Sequence, residues 1–279
     1  MASERARNLA LRLATAAVLV PVLLWLLFWG PPAAFLAVGL LATGAAGWEL
    51  GAMVPEARAV DRLWTVLASV GLAAGWRLAP NVAVVHVVGL AVVVGAVLLG
   101  LGAASSEQRA AARAGWLLGG PLYVGATMAA LLGLHAQPHG GRWVVLAMTL
   151  AWIGDTSAYA VGLTMGRRKL APRLSPKKTV EGAVGGLLGS VAAALFAAFV
   201  YLPELPAVAA VLLGLLGGAA GQAGDLFESL LKRAAGLKDS GRLLPGHGGL
   251  LDRIDALLVT ASATWAFVVL RALWTSAGG

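Results

Sequence analysis

The chain has 279 residues, of which 59% are apolar and only 12% are charged. In an ordinary soluble domain about a quarter of the residues are charged. This composition therefore excludes an ordinary soluble protein and predicts an integral membrane protein. The net charge of +8 comes from basic residues in short segments between apolar runs, so we expect anionic lipid or nucleotide phosphate as partners and no nucleic acid.

Nine stretches are apolar and long enough to cross a bilayer as helices, which takes about 20 residues each. They cover residues 9–29, 33–54, 63–79, 82–102, 116–134, 143–166, 181–202, 207–229 and 254–274. Arginines precede the first stretch as in a signal peptide, but further apolar stretches follow, so we expect a retained first helix. The sequence therefore predicts an all-α polytopic membrane protein with about nine transmembrane helices.

The basic residues predict the orientation of these helices. If the N-terminus is cytoplasmic, only Arg77, Arg142 and Arg271 of the 21 Lys and Arg residues fall on the opposite side. Such an asymmetry is what the positive-inside rule describes. We therefore expect the charged segments 167–179 and 225–255 to face the cytoplasm. They lie in a C-terminal region, 143–279, that we distinguish from an N-terminal region, 1–142, with about five spans.

Glycines four residues apart recur in the seventh and eighth apolar stretches. The pairs are Gly182 and Gly186, Gly185 and Gly189, Gly214 and Gly218, and Gly217 and Gly221. Small residues at this spacing let helix backbones approach closely in lipid. They predict tight helix packing that would hold Asp225 rigidly.

Four carboxylates lie at the ends of the last two apolar stretches. Asp225 and Glu228 are three residues apart, as are Asp252 and Asp255, so each pair shares a helix face. A carboxylate within a membrane costs about 2.5–3.5 kcal/mol and by default indicates a functional site. Together they predict an oxygen-rich pocket for Mg²⁺, which completes its shell with water and substrate phosphate. The alternative is a set of ion pairs with the nearby cations Lys232, Arg233 and Arg253.

Two loops offer phosphate-binding groups. The glycine-rich turn 245–249 precedes a helix, whose first amides can approach a phosphate; its His247 could donate to the phosphate or be structural. The turn is neither a P-loop nor a dinucleotide-binding loop, because the chain has no G-x-x-x-x-G-K-[ST] or G-x-G-x-x-G pattern. In segment 167–179, residues 167–169 fit a positive-inside anchor. The polar group at its helix entrance, which can bind a polyphosphate, is Ser175, Lys177, Lys178, Thr179 and Glu181.

Two further acids lie inside apolar stretches. Asp155 either ties helices together by a hydrogen bond or forms the wall of a polar pocket, and the sequence leaves both interpretations open. Glu49 we interpret as a packing feature or as a partner for an arginine.

Residues 229–255 resemble the motif of the phosphatidate cytidylyltransferases, also called CDP-diacylglycerol synthases. The matching positions include Ser229, Lys232, Arg233, Lys238, Asp239, Pro245, His247, Gly248, Gly249, Asp252, Arg253 and Asp255. The patterns G-D-x-x-E-S at 224–229, S-P-K-K-T-x-E-G at 175–182 and G-D-T-x-A-Y at 154–159 look like further motifs of this family. Together they cover the C-terminal half, while the first five apolar stretches match only in their apolar character.

The resemblance implies that CTP and phosphatidate react to give CDP-diacylglycerol and pyrophosphate, with Mg²⁺, in phospholipid synthesis. It also implies an all-helical homodimer in the bacterial inner membrane, with its site facing the cytoplasm. By the family pattern Asp225 and Asp252 would bind the metal, and a second cation such as K⁺ would lie beside it. The catalytic residues would be these two acids together with Lys232 and Arg233. The substrate-binding set would be Ser175, Lys177, Lys178, Thr179, Glu181, Glu228, Ser229, Lys238, Asp239, His247, Gly248, Gly249, Arg253, Asp255 and Asp155.

This reaction agrees with the chemistry of the charged residues. A phosphate monoester is largely dianionic at pH 7, so phosphatidate needs no general base to become a nucleophile. What the attack on CTP needs is positioning and neutralisation of negative charge, which a metal and surrounding cations supply.

Two other functions fit parts of the pattern. Intramembrane acids also mark the ion paths of transporters, although nine spans do not form two equal inverted repeats and these acids crowd one membrane face. A CTP-dependent kinase for a lipid alcohol would use similar groups but release CDP.

Overall fold

The structure, a computed structural model, describes residues 17–79, 81–102, 106–241, 243 and 248–277. Most of these residues are helical. The helices are α1 (Ala17–Phe28), α2 (Pro32–Gly51), α3 (Ala59–Leu78), α4 (Val82–Leu101), α5 (Glu107–Pro121), α6 (Thr127–His135), α7 (Gly140–Met165), α8 (Val180–Val200), α9 (Ala207–Ala234) and α10 (Leu251–Ala277). A π-helical segment, Leu122–Ala126, joins α5 to α6 directly after Pro121.

One antiparallel hairpin accompanies the helices in the described part of the chain. Strand β1 (Lys169–Ala171) pairs with β2 (Ser175–Thr179) between α7 and α8. The sequence prediction left this segment as a loop, because six cations and two prolines hide the short strands. The all-α prediction is otherwise confirmed for the described residues.

Seven of the described helical segments are long and apolar enough to cross a membrane. They are Pro32–Gly51, Val82–Leu101, Glu107–His135, Gly140–Met165, Val180–Val200, Ala207–Ala234 and Leu251–Trp274. They support an α-helical membrane protein. Helix α3 is outside this set because it carries Asp61, Arg62 and Arg77, and residues 9–16 of the first predicted stretch lie outside the described residues. The total of nine spans and their orientation stay predictions.

Helix α9 is longer than its apolar stretch predicted. The stretch ends at residue 229, whereas the helix continues to Ala234. The added turn consists of good helix formers, and Lys232 and Arg233 are favourable at the negative end of the helix dipole. Asp225 therefore lies about two and a half turns inside the helix, from the helical repeat, and not near its end as the sequence suggested.

The described chain forms two compact units. Among the described residues, the first unit takes those of 17–132 and 239–253, and the second takes those of 133–238 and 254–277. The described glycines of the glycine-rich turn, Gly248 and Gly249, thus belong to the first unit. The division at residue 142, which follows motif content, stays a prediction.

The first unit has a buried ion pair in its interior. Asp61 on α3 pairs with Arg113 on α5, and both side chains are almost wholly buried. Arg113 also donates from Nε to the carbonyl oxygen of Leu99 at 3.2 Å and from a terminal nitrogen to that of Glu56 at 3.2 Å. These bonds give two further guanidinium donors a partner, and such extra hydrogen bonds help a buried pair to be tolerated.

The second unit is built on close contacts between α7, α8 and α9. A Cβ added to Gly186 would lie 3.0 Å from the carbonyl oxygen of Gly154, and one added to Gly214 would lie 2.6 Å from the Cα of Val191. A Cβ on Gly218 would lie 2.7 Å from Ser190 Oγ. The predicted glycine packing is confirmed at these positions, and it fixes the helix that carries Asp225.

Candidate active site

A cavity of about 640 Å³ lies in the second unit, beside α9. Residues of α7, α8, α9 and the hairpin line it. Its charged lining residues are Asp155, Lys169, Lys177, Lys178 and Asp225. Its apolar lining comes mainly from α7 and β1, with Tyr159 and Leu163 exposed on the surface of α7. The cavity therefore combines opposite charges with an apolar wall.

Asp225 is the central carboxylate of this cavity. Its Oδ2 pairs with the Lys178 ammonium group from β2, and both side chains are about a quarter exposed, at 26% and 27%. Ser229, one turn further along α9, donates from Oγ to the other oxygen at 3.5 Å. The hairpin thus brings a cation to an acid that lies 47 residues away in sequence. The sequence analysis selected both residues but did not predict that they pair.

Two more acids of the second unit lie near Asp225. Asp155 lies on the cavity wall, which is the second of its two open interpretations. Asp255, near the start of α10, is close enough for its charge to interact with those of Asp225 and Asp155. Carboxylate oxygens are the ligands that Mg²⁺ prefers, and it needs only one or two of them. In the described parts of the chain no group of three or more His, Asp or Glu side chains is arranged to hold a metal ion.

Glu228 and Lys232 form an ion pair one turn apart on α9. Glu228 is fully buried, and Lys232 is 13% exposed. The ion-pair alternative for the acidic cluster is thus observed for this pair. Arg233 is exposed and donates to the carbonyl oxygens of Leu174 at 3.5 Å and Leu237 at 3.0 Å. The predicted roles of Lys232 and Arg233 toward substrate phosphates stay predictions.

Asp252, in the first turn of α10, belongs to the first unit. Its Oδ2 accepts hydrogen bonds from the backbone N–H of Ser240 at 2.9 Å, the Ser240 hydroxyl at 2.9 Å and the N–H of Gly249 at 3.1 Å. Gly248 has φ +85°, a left-handed conformation that favours glycine. Arg242 and residues 244–247, including His247, lie outside the described residues. Asp225 and Asp252 fall in different units, and a metal bound by both stays a prediction.

The other predicted residues are distributed around these groups. Thr179 lines the cavity and caps α8, since its hydroxyl accepts the N–H of Gly182 at 3.1 Å. Glu181 is not among the cavity-lining residues; it accepts the backbone N–H groups of Arg167 at 3.0 Å and Arg168 at 3.2 Å. Ser175 lies in β2 outside the cavity lining. Exposed positions are Lys238, Asp239 and Arg253.

Sequence reasoning missed two polar residues and did not identify the partners of a third. Gln222 lines the cavity and donates to the carbonyl oxygen of Ala183 at 2.9 Å, and Ser240 donates to Asp252. Glu49 was noticed as an acid in an apolar stretch, but its described partners are Ser240 and two backbone N–H groups, and no arginine. The polarity of Gln222 within an apolar stretch was the signal that could have found it.

The cytidylyltransferase family model matches residues 10–271, which is nearly the whole chain. The chain belongs to the cytidylyltransferase family. This places both the cavity and the segment around Asp252 within a family alignment, although the match assigns no role to a single residue.

Three relatives of this chain carry the curated name phosphatidate cytidylyltransferase. The protein from Brucella abortus is 39% identical over 154 residues, which are 55% of this chain and 57% of the relative. The protein from Thermotoga maritima is 40% identical over 131 residues, 45% of this chain and 48% of the relative. The protein from Synechocystis is 44% identical over 133 residues, 48% of this chain and 45% of the relative. The chain spans about half the length of the curated relatives it matches.

Proposed function

We propose that this member of the cytidylyltransferase family is a phosphatidate cytidylyltransferase. It would convert CTP and phosphatidate to CDP-diacylglycerol and pyrophosphate. The observation that carries the proposal is the cavity in which Asp225 meets Lys178 among helices of membrane-spanning length. A soluble nucleotide and a lipid phosphate must meet at the surface of a membrane. The names of the relatives support the same pair of substrates.

In this reaction a phosphate oxygen of phosphatidate forms a bond to the α-phosphorus of CTP. The bond from that phosphorus to the bridging oxygen of the β-phosphate breaks, and pyrophosphate leaves with the electron pair. Phosphatidate is largely dianionic at neutral pH, so no side chain has to remove a proton. The residues of the chain position two polyanions and offset their repulsion, which Lys177, Lys178 and Lys169 at the cavity can do.

The carboxylates at the cavity fit a hard cation such as Mg²⁺. Asp225 would hold the ion, with Asp252 as the second ligand that the resemblance implies and Asp255 and Glu228 in support. When bound, Mg²⁺ neutralises charge on the triphosphate and the departing pyrophosphate. A second cation such as K⁺ belongs to the same proposal. Lys232, Arg233, Lys238 and Arg253 would bind phosphates of CTP or phosphatidate, and the glycines at 248 and 249 the triphosphate.

The membrane arrangement is part of the proposal. It comprises nine spans, a cytoplasmic N-terminus, a site that faces the cytoplasm of the bacterial inner membrane, and a homodimer. The distribution of Lys and Arg supports this orientation, because only three of the 21 fall on the other side.

The position of a phosphate label in the product tests the reaction. Purified protein in detergent is given phosphatidate, a lipid alcohol, Mg²⁺ and CTP labelled at either its α- or its γ-phosphate. A cytidylyltransferase places the α-label in the lipid and the γ-label in pyrophosphate. A lipid kinase would place the γ-label in a lipid alcohol and release CDP, which would overturn the proposal. Solute flux in proteoliposomes without any labelled lipid would also overturn the proposal, because it would indicate a transporter.

A further inference from the structure

Glu49 connects α2 to a distant segment of the first unit. It lies in the last turn of α2 and is 5% exposed. Its Oε1 accepts the backbone N–H of Leu250 at 3.0 Å, and its Oε2 accepts that of Leu251 at 2.8 Å. The Ser240 hydroxyl lies 3.2 Å from Oε2. Both oxygens of one side chain thus hold a segment about 200 residues away in sequence.

These bonds explain how a carboxylate is tolerated in the interior. None of the ion pairs found among the described residues includes Glu49. A buried carboxylate without a cation needs hydrogen-bond donors. The N–H groups of Leu250 and Leu251 are at the start of α10, where backbone donors lack partners within the helix and the helix dipole favours negative charge. Glu49 therefore caps α10 from another helix.

The surrounding backbone leaves room for this carboxylate at two glycines. A Cβ added to Gly241 would overlap the Glu49 carboxylate. One added to Gly249 would lie 2.8 Å from Glu49 Oε2 and would overlap Ser240 Oγ. Any other residue at either position would displace the Glu49 side chain or the segment that it holds.

Ser240 links Glu49 to Asp252. The Ser240 hydroxyl contacts Glu49 on one side and lies 2.9 Å from Asp252 Oδ2 on the other. The N–H of Ser240 and the N–H of Gly249 donate to the same Asp252 oxygen. Loss of Glu49 would release the backbone from which these donors come, so the Asp252 carboxylate would lose its orientation.

We propose that Glu49 is a positioning residue for Asp252. It acts through Ser240 and through the N–H groups of Leu250 and Leu251, and it touches no substrate. The proposal rests on the proposed function, since it assumes that Asp252 serves nucleotidyl transfer. Outer-shell residues of this kind change activity by about 10- to 100-fold when they are replaced.

The test compares Glu49→Gln with Glu107→Gln in the full-length protein. Glutamine keeps the shape but has only one acceptor oxygen, whereas Glu107 is an exposed acid of α5 in the same unit. Hydrogen–deuterium exchange of peptides that cover 239–253 should become at least about tenfold faster for Glu49→Gln and stay unchanged for Glu107→Gln. The kcat should fall about 10- to 100-fold, with KM for phosphatidate within about twofold. Glu49→Asp should restore part of the kcat.

Ser240→Ala separates a positioning role from a purely structural one. It removes the hydroxyl between the two carboxylates but leaves the Leu250 and Leu251 bonds to Glu49 in place. We expect the kcat to fall while exchange at these two amides stays slow. A normal kcat in both Glu49→Gln and Ser240→Ala, or unchanged exchange in Glu49→Gln, would overturn the proposal. If the wild-type protein lacks cytidylyltransferase activity, the proposed function fails, whereas the exchange data still report on the contact of Glu49 with α10.

Discussion

Asp225 and Asp252, the two carboxylates that we propose as metal ligands, are held in different ways. Asp225 is partly exposed beside a cavity, and its main partner is the flexible ammonium side chain of Lys178. Asp252 instead accepts three hydrogen bonds from Ser240 and Gly249 at one oxygen. The flexible side chain of a lysine can release one carboxylate and bind another ion, whereas backbone N–H donors fix the orientation of the carboxylate that they contact. The charge of Asp225 is therefore balanced by a lysine, whereas the orientation of Asp252 is fixed by hydrogen bonds.

The strongest test of this comparison replaces each carboxylate by its amide. Both Asp225→Asn and Asp252→Asn should lower the CTP-dependent turnover of phosphatidate by about 10²–10³-fold or more, since each would remove a charge that acts on the transferred group. Initial rates with α-labelled CTP in detergent measure this loss. Only Asp252→Asn should also speed exchange in segment 239–253, because a neutral amide oxygen accepts the hydrogen bonds of Ser240 and Gly249 more weakly than a carboxylate does.

Glu107→Gln again serves as the control for these two variants, and its turnover should stay within about twofold of the wild type. Turnover near the wild-type value in either amide variant would remove that carboxylate from the site. Equal exchange in both variants would show that the two acids are not held differently.

A smaller effect is expected from removing the cation that balances Asp225. Lys178→Gln should lower turnover about 10- to 100-fold, as is typical for a residue that supports a ligand. The matched control is Arg173→Gln, because Arg173 is an exposed cation in the turn of the same hairpin and lies outside the cavity lining. If both variants lose activity equally, the total charge of the hairpin matters and the contact between Lys178 and Asp225 does not.

Local pattern was enough to predict most helices and to select the two acids that line the cavity, Asp155 and Asp225. Helix α4 begins at Val82 as predicted, because a bilayer-length apolar run is visible in the sequence itself. Contacts between segments that are far apart in the chain cannot be read from local sequence pattern. The pairing of Lys178 with Asp225 depends on a hairpin that brings together residues 47 positions apart. The role of Glu49 depends on contacts over about 200 residues. The sequence showed that the Glu49 carboxylate lies in an apolar stretch, where it is costly in free energy, but it did not show which residues Glu49 contacts.

The smallest effect, on stability, tests how rigidly the Asp252 segment is held. A Cβ on Gly249 would overlap Ser240 Oγ and lie 2.7 Å from the backbone nitrogen of Gly241, so Gly249→Ala should cost about 1–3 kcal/mol through overpacking. Gly119 in α5 has no neighbouring atom within 4 Å of an added Cβ, and Gly119→Ala should be neutral or stabilising by about 0.5–1 kcal/mol. Thermal unfolding in detergent compares the two substitutions within one unit. If Gly249→Ala unfolds at the wild-type temperature and keeps full turnover, the segment around Asp252 can shift without loss. Asp252 would then be no more rigidly held than Asp225, and the distinction between a charge-balanced and a geometrically fixed carboxylate would fail.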